Sequence, residues 1–229
     1  MLSVPSIKQE CLLLLETFEI SACVLRDEQF NLIWCNNAYA RLHNKTKDEL
    51  IGTSLRDLIS DECAAEREHA MQQVLDQDQM LTAIQFGSGE RQLCAFFPIS
   101  EEEFGHRGTL AMIQPAPSSE ALQPRNIDML LQTPCLNNLS ILSTAEMRVL
   151  HHIARGLSTK DIASELHRSE RTIENHIGSI HSKLNTTSRA QLVKYAVDRG
   201  LHGFPADHWE HIITGKAAPT TRGTLSASA

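Results

Sequence analysis

Between Ser143 and Gly200 the chain is punctuated by signals that start and stop short helices. Ser143 is followed three residues later by Glu146, a reciprocal capping pair, and the apolar positions Val149, Leu150, Ile153 and Ala154 run from it to a stop at Gly156. Ser158 with Asp161 repeats the device ahead of Ile162, Ala163 and Leu166. Ser169, three residues before Thr172, opens a third segment, and Ser188 opens a fourth through Leu192, Val193, Ala196 and Val197 to Gly200. Four such amphipathic segments in so short a stretch can bury their apolar stripes only against one another. A short second helix leading through a tight turn into the third has helix-turn-helix order.

The third segment, 169–185, carries Ile173, Ile177, Ile180 and Leu184 at spacings of four, three and four, one narrow stripe at the helical period. Its other side holds Arg171, Asn175, Gly178, Ser179 and Ser182, which are polar, mostly small and low in negative charge. Such a face suits close approach to another polar surface, such as a DNA groove. The whole chain of 229 residues carries a net charge of −7, which by itself argues against a nucleic-acid partner. Ser143 to His202, however, holds nine Lys and Arg against six acids, a local +3 that leaves −10 for the remainder. That asymmetry points to one polyanion-binding module in an otherwise acidic chain.

Upstream, residues 1–20 read as a helix started by Ser6, with Ile7, Cys11, Leu14, Leu15 and Phe18 on a broad apolar side. Such a side suits either capping of the next domain or pairing with a second subunit. Residues 21–115 read as one α+β domain. Strands are expected at Ala22–Leu25 and Asn31–Trp34 around a polar turn (Arg26, Asp27, Glu28), and at Leu81–Phe86, Gln92–Phe97 and Thr109–Ile113, with hairpin chemistry at Gly87-Ser88-Gly89. Asn36 and Asn37 offer caps to a short helix through Leu42, Asp48–Ile51 forms a brief helical turn, and Asp61–Leu75 a longer helix. Residues 116–141 are a linker interrupted by Pro117, Pro124 and Pro134, with a short helical turn at Ile127–Leu131. Residues 203–229 form a tail, largely disordered, apart from one helical turn at His208–Ile213.

No run approaches the roughly 18 apolar residues of a membrane span, and the N-terminus lacks the pattern of a signal peptide. The cysteines (11, 23, 35, 63, 94 and 135) are scattered without a CxxC pair, which fits small core residues in a reducing cytoplasm rather than a metal site. A cytoplasmic location with no membrane partner is the expectation.

Two family resemblances follow from these residues. The order of strands, short helices, longer helix and three-strand meander, with NLIWCNNAYARLHNKTKDELIGTSLRDLI at 31–59, resembles a PAS domain. PAS domains are sensory or dimerising modules, some of which hold haem, flavin or a metabolite between sheet and helices. The residues here name no cofactor. The flavin-type pattern of a reactive cysteine beside Asn and Arg is missing, since Cys63 lies in DECAAER. His69 could only ligate haem from the side of the long helix opposite Ala64, Met71, Val74 and Leu75, so it reads as solvated, and His43 reads as a surface residue.

The segment 142–193, LSTAEMRVLHHIARGLSTKDIASELHRSERTIENHIGSIHSKLNTTSRAQLV, resembles the LuxR-type DNA-binding domain of bacterial regulators, matching without a gap. The resemblance implies a third helix in the major groove, a homodimer through the fourth helix, and base-facing positions at Glu174, Asn175 and Gly178. Asn175 can pair bidentately with adenine, Glu174 can accept from cytosine, and Gly178 permits close approach. Backbone phosphates would fall to Thr159, Lys160, Ser169, Arg171, Thr172, Ser182, Lys183 and Arg189, through hydroxyls, cations and helix-terminal N–H groups.

The expected fold class is therefore multidomain: an α+β PAS-like domain, an antiparallel sheet with flanking helices, followed by an all-α four-helix helix-turn-helix domain. The expected function is sequence-specific, double-stranded DNA-binding transcription regulation. Control is expected from a small ligand or cofactor at the PAS-like domain; alternatively that domain only dimerises or binds protein. RNA polymerase is a further candidate partner. Enzyme signatures are missing: there is no GxxxxGK[ST], no GxGxxG after a strand, no HExxH and no GxSxG. Glu101–Glu103 read as a solvated charge run. A phosphoacceptor receiver would need alternating parallel strands and helices, which 21–115 do not provide.

Overall fold

The computed structural model describes residues 12–17, 20–116 and 127–214. Most of the expected N-terminal helix, the proline-rich 117–126 and the end of the tail lie outside that range; within it, residues 12–16 are helical (α1). Leu12 is buried with Leu25 and Ile99, and Leu15 packs alongside, so one side of α1 caps the sheet while Leu13 and Leu14 face outward.

A six-stranded sheet has the order β2-β1-β5-β4-β3-β6. Its strands are β1 (Ala22–Asp27), β2 (Leu32–Cys35), β3 (Leu81–Gly87), β4 (Glu90–Ile99), β5 (Gly108–Pro115) and β6 (Met129–Leu130). The first five pair antiparallel, and β6 adds parallel to β3 through Ala83–Met129 and Ile84–Leu130. The stretch Ile127–Leu131 is thus an edge strand rather than a helical turn. Backbone hydrogen bonds from Leu131 to Ile84 and from Cys135 to Phe86 lay this part of the linker along the sheet. Ser88 and Gly89 both take positive φ, 52° and 78°, which makes the β3–β4 connection the tight twisted turn expected there.

Between β2 and β3 run α2 (Asn37–Leu42), α3 (Lys47–Leu50) and α4 (Asp61–Gln77). Asn36 is fully buried and caps α2, its Oδ1 accepting from Tyr39 N and from Cys23 N at 3.0 Å each. It thereby fastens the helix to β1. A short α5 (Glu101–Phe104) joins β4 to β5. The core of this half lies between the inner sheet face (Ala22, Val24, Ala83, Cys94, Phe96, Ala111) and Tyr39, Leu50, Leu55, Met71 and Val74 from the helical side. β1 continues past Leu25 to Asp27, so Arg26 belongs to the inner face and not to a turn; it is 1% exposed. His43 is half-buried against the Tyr39 ring, 4.7 Å between centroids, rather than on the open surface.

The C-terminal half is helical: α6 (Thr144–Ala154), α7 (Thr159–Glu165), α8 (Glu170–Leu184), α9 (Arg189–Asp198) and α10 (Ala206–Thr214). The last lies in the segment expected to be mostly disordered. Trp209, Ile212 and Ile213 are buried at one-turn spacing, so the apolar stripe decides for a packed helix there. Their core merges with the outer face of the sheet, where Ile84 and Phe86 of β3 join Leu150, Ile153, Phe204 and Trp209. No helix among the described residues is long and apolar enough to cross a membrane.

Candidate nucleic-acid interface

Local hydrogen bonds position the helix that carries the expected base-facing residues. Ser158 and Asp161 cap α7 reciprocally. At its other end Arg168 N donates to Ala163 O at 2.9 Å and His167 N to Ser164 O at 3.3 Å, a helix stop that places His167 at φ 52°. The chain then turns directly into Ser169, whose Oγ accepts from Thr172 N at 3.1 Å to start α8. Ile173 and Ile180 are buried and Ile177 and Leu184 partly so, as the stripe requires. Asn185, at φ 51°, ends the helix.

The opposite side of α8 presents Arg171, Glu174, Asn175, Gly178 and Ser182, all exposed. A Cβ at Gly178 would have nothing within 4 Å, so the protein's own packing does not call for glycine there. Thr172 is half-buried and its hydroxyl lies 2.8 Å from that of Ser169, which joins the two helix-start hydroxyls. Lys160 is exposed and Thr159 half-buried at the start of α7.

Three polar residues turn inward instead. Ser179, placed by the sequence on the open side, donates to Glu146 Oε1 at 2.5 Å, and Lys183 Nζ reaches Glu146 Oε2 at 2.7 Å. Glu146, 4% exposed, also accepts from Ser143 N at 2.6 Å, so one carboxylate ties the start of α6 to the second half of α8. Burial alone would push this carboxyl up, but hydrogen bonds from Lys183, Ser179 and Ser143 outweigh it and bring it down to about 2. Arg189 donates to the Leu157 carbonyl and so fastens the start of α9 to the α6–α7 turn. Both side chains thus tie together the helices around α8, Lys183 through Glu146 and Arg189 through the Leu157 carbonyl. The sequence signal for Glu146 was its capping position, which explains one of its oxygens and not the second.

Residues 140–196 match the family described as bacterial regulatory proteins of the luxR family, and residues 15–115 match the PAS fold. The C-terminal helices are a LuxR-type domain, set behind a PAS fold. The curated relatives match over short stretches of the chain. The oxygen regulatory protein NreC of Staphylococcus epidermidis is 44% identical over 64 residues, which is 28% of this chain and 29% of NreC. The nitrate/nitrite response regulator NarP of Escherichia coli is 45% identical over 62 residues, 27% of this chain and 29% of NarP. The chain thus spans under a third of the length of these curated relatives. Among solved structures, Vibrio cholerae VqmA in a complex with ligand and DNA overlays with a TM-score of 0.46 at 17% identity, over 88% of this chain and 91% of that one. The phage VqmA complex with DPO gives a TM-score of 0.47 at 17% identity, over 87% and 92%.

Proposed function

We propose that this protein is a transcription regulator that binds double-stranded DNA through α8 and is governed by its PAS domain. The observation that carries the reading is the exposed face of α8. It holds an amide (Asn175), an unobstructed glycine one turn further on (Gly178), and cations and hydroxyls at its margins, on a helix fixed from behind by Glu146. Asn175 reads adenine, Glu174 accepts from cytosine, and the groove floor approaches α8 at Gly178. Arg171, Lys160, Thr159, Ser169, Thr172 and Ser182 lie where phosphates would flank the groove. Lys183 and Arg189 act mainly by holding the helices in place, with their remaining donors available to the backbone of DNA.

The active species is a homodimer through α9, as two half-sites one turn apart would require, located in the cytoplasm and engaging RNA polymerase once bound. A small ligand in the PAS core shifts how the two LuxR-type domains are presented. Support for this coupling comes from β3, whose consecutive residues face opposite ways: Gln85 into the PAS core and Phe86 into the LuxR-type core.

Genome-wide capture of bound DNA fragments, followed by titration of the enriched duplex, tests the reading. Replacing Asn175 by Ala should flatten preference at one base pair by roughly 5- to 150-fold while sparing the rest of the site. If site-specific binding survives Asn175→Ala combined with Gly178→Glu, α8 is not the reading helix.

A further inference from the structure

Two arginines line the small cavity inside the PAS fold. Arg26 of β1 is 1% exposed and Arg67 of α4 is 7% exposed. Arg26 donates to Phe30 O at 2.6 Å, Thr53 O at 3.2 Å and the Tyr39 hydroxyl at 3.0 Å. Arg67 donates from Nη1 to Cys63 O at 2.9 Å, while its Nη2 is buried without a partner. No ion pair among the described residues includes either guanidinium. Across the cavity, Gln85 gives its Nε2 to Gln92 Oε1 at 2.8 Å and leaves its own Oε1 buried and unpaired.

A guanidinium cannot relieve this by losing its proton. An uncompensated charge in a protein interior costs several kcal/mol even after relaxation, on the order of what a whole domain has to spare. The groups of the cavity lining that could turn anionic do not; the Cys63 thiol, brought down to about 6 chiefly by a hydrogen bond with Cys135, lies outside that lining. Burial holds the Tyr39 phenol up in spite of the two cations, and pushes the Cys94 thiol up to about 12. Buried water could satisfy the orphaned hydrogen bonds but would bring no charge. The missing partner is therefore a negative group that arrives from outside.

The cavity has a volume of about 40 Å³ and is bounded by Val24, Tyr39, Met71, Cys94 and Phe96 besides the polar residues named. A single water needs about 10–15 Å³ on this measure, so the space admits about three such groups. Apolar walls with one cationic end suit a carboxylate at the Arg67 end on a carbon stub no larger than a methyl group. We propose that the PAS domain binds a small monocarboxylate of one or two carbons, with its carboxylate on Arg67 Nη2 and the Tyr39 hydroxyl. This rests on the reading of the PAS domain as a ligand sensor and names the class of its ligand.

The test uses the full-length chain at constant ionic strength, titrated with formate, acetate, lactate, acetamide and chloride, with thermal melting and calorimetry as readouts. Saturable stabilisation by formate or acetate, missing with the larger lactate and with isosteric acetamide, is the expected result. Arg67→Gln should weaken it at least tenfold. Arg67→Met, which matches the volume and removes the charge, should melt higher than the unliganded wild type and ignore the acids. The assignment is overturned if acetamide binds as well as acetate, if chloride alone reproduces the effect, or if Arg67→Met melts lower without ligand. Native mass spectrometry separates the two levels of failure. A co-purifying neutral molecule with no response to the acids would remove the carboxylate and keep the sensor. A bare chain that responds to nothing would remove both.

Discussion

Gly178 is a residue whose stability and function should pull apart. A glycine inside a helix costs about 1 kcal/mol relative to alanine, and here the space for a methyl group is open. Gly178→Ala should therefore raise the melting temperature by a few degrees, the size expected of about 1 kcal/mol, while weakening binding to the captured duplex. If melting rises and affinity holds, close approach at that position is not what keeps glycine there. The same scale shows why some residues were hidden in the sequence. Arg67 stands on the buried side of α4 with Cys63, Ala64, Ala70 and Met71, at helical spacing that can be counted from the sequence, yet a charged residue there breaks the apolar pattern. Arg26 likewise continues the inward alternation of Ala22 and Val24 past the point where polar residues suggest a turn. Both exceptions lie on the candidate ligand cavity, where local rules yield to the site.

At the level of elements, the helices of the LuxR-type domain were legible because each carries its own start signal: Ser143, Ser158, Ser169 and Ser188 all cap in the structure as their spacing indicates. What spacing could not reveal was the tie between α6 and α8, since Lys183 and Ser179 meet Glu146 only after folding. That tie has a pH signature. The carboxyl sits at about 2 in the folded protein against about 4.5 in the unfolded chain. Its contribution is fully present above pH 4.5 and is lost as pH falls through 2, an amount of about 3 kcal/mol. Glu146→Gln should remove that dependence from melting curves taken between pH 5 and 2. Lys183→Ala should lower stability at neutral pH by leaving the buried carboxylate short of its cation. If Lys183→Ala leaves melting unchanged and reduces only the salt dependence of DNA binding, the lysine belongs to the phosphates and not to Glu146.

Across the whole molecule, the division into two halves was legible from the change in pattern at the prolines, and their union was not. The junction is built from residues far apart in the chain. Phe86 meets Phe204 and Trp209 edge-on at 5.6 Å each, and Trp209 stacks on His151 at 5.2 Å and donates to Met147 O at 3.2 Å. Arg91 N bonds Arg199 O at 2.8 Å. Truncating Phe86 to Ala should cost on the order of 3–5 kcal/mol if the aromatic cluster is one core, and should split a single calorimetric transition into two as the halves uncouple. His151 makes the junction sensitive to acid. Burial lowers its pKa to about 4, against a partly opposing hydrogen bond in which its Nε2–H donates to the Phe204 carbonyl. Between pH 6.5 and 4 the unfolded chain takes up a proton that the folded junction refuses, so this share of stability is complete above pH 6.5 and gone once pH has fallen through 4. His151→Phe keeps a ring against Trp209 and cannot be protonated. Melting curves of the variant should fall less steeply than wild type over that interval, and α10 amides should keep their hydrogen-exchange protection at pH 5. Curves that stay parallel from pH 7 to 4 would place the acid sensitivity elsewhere and leave the junction a purely apolar contact.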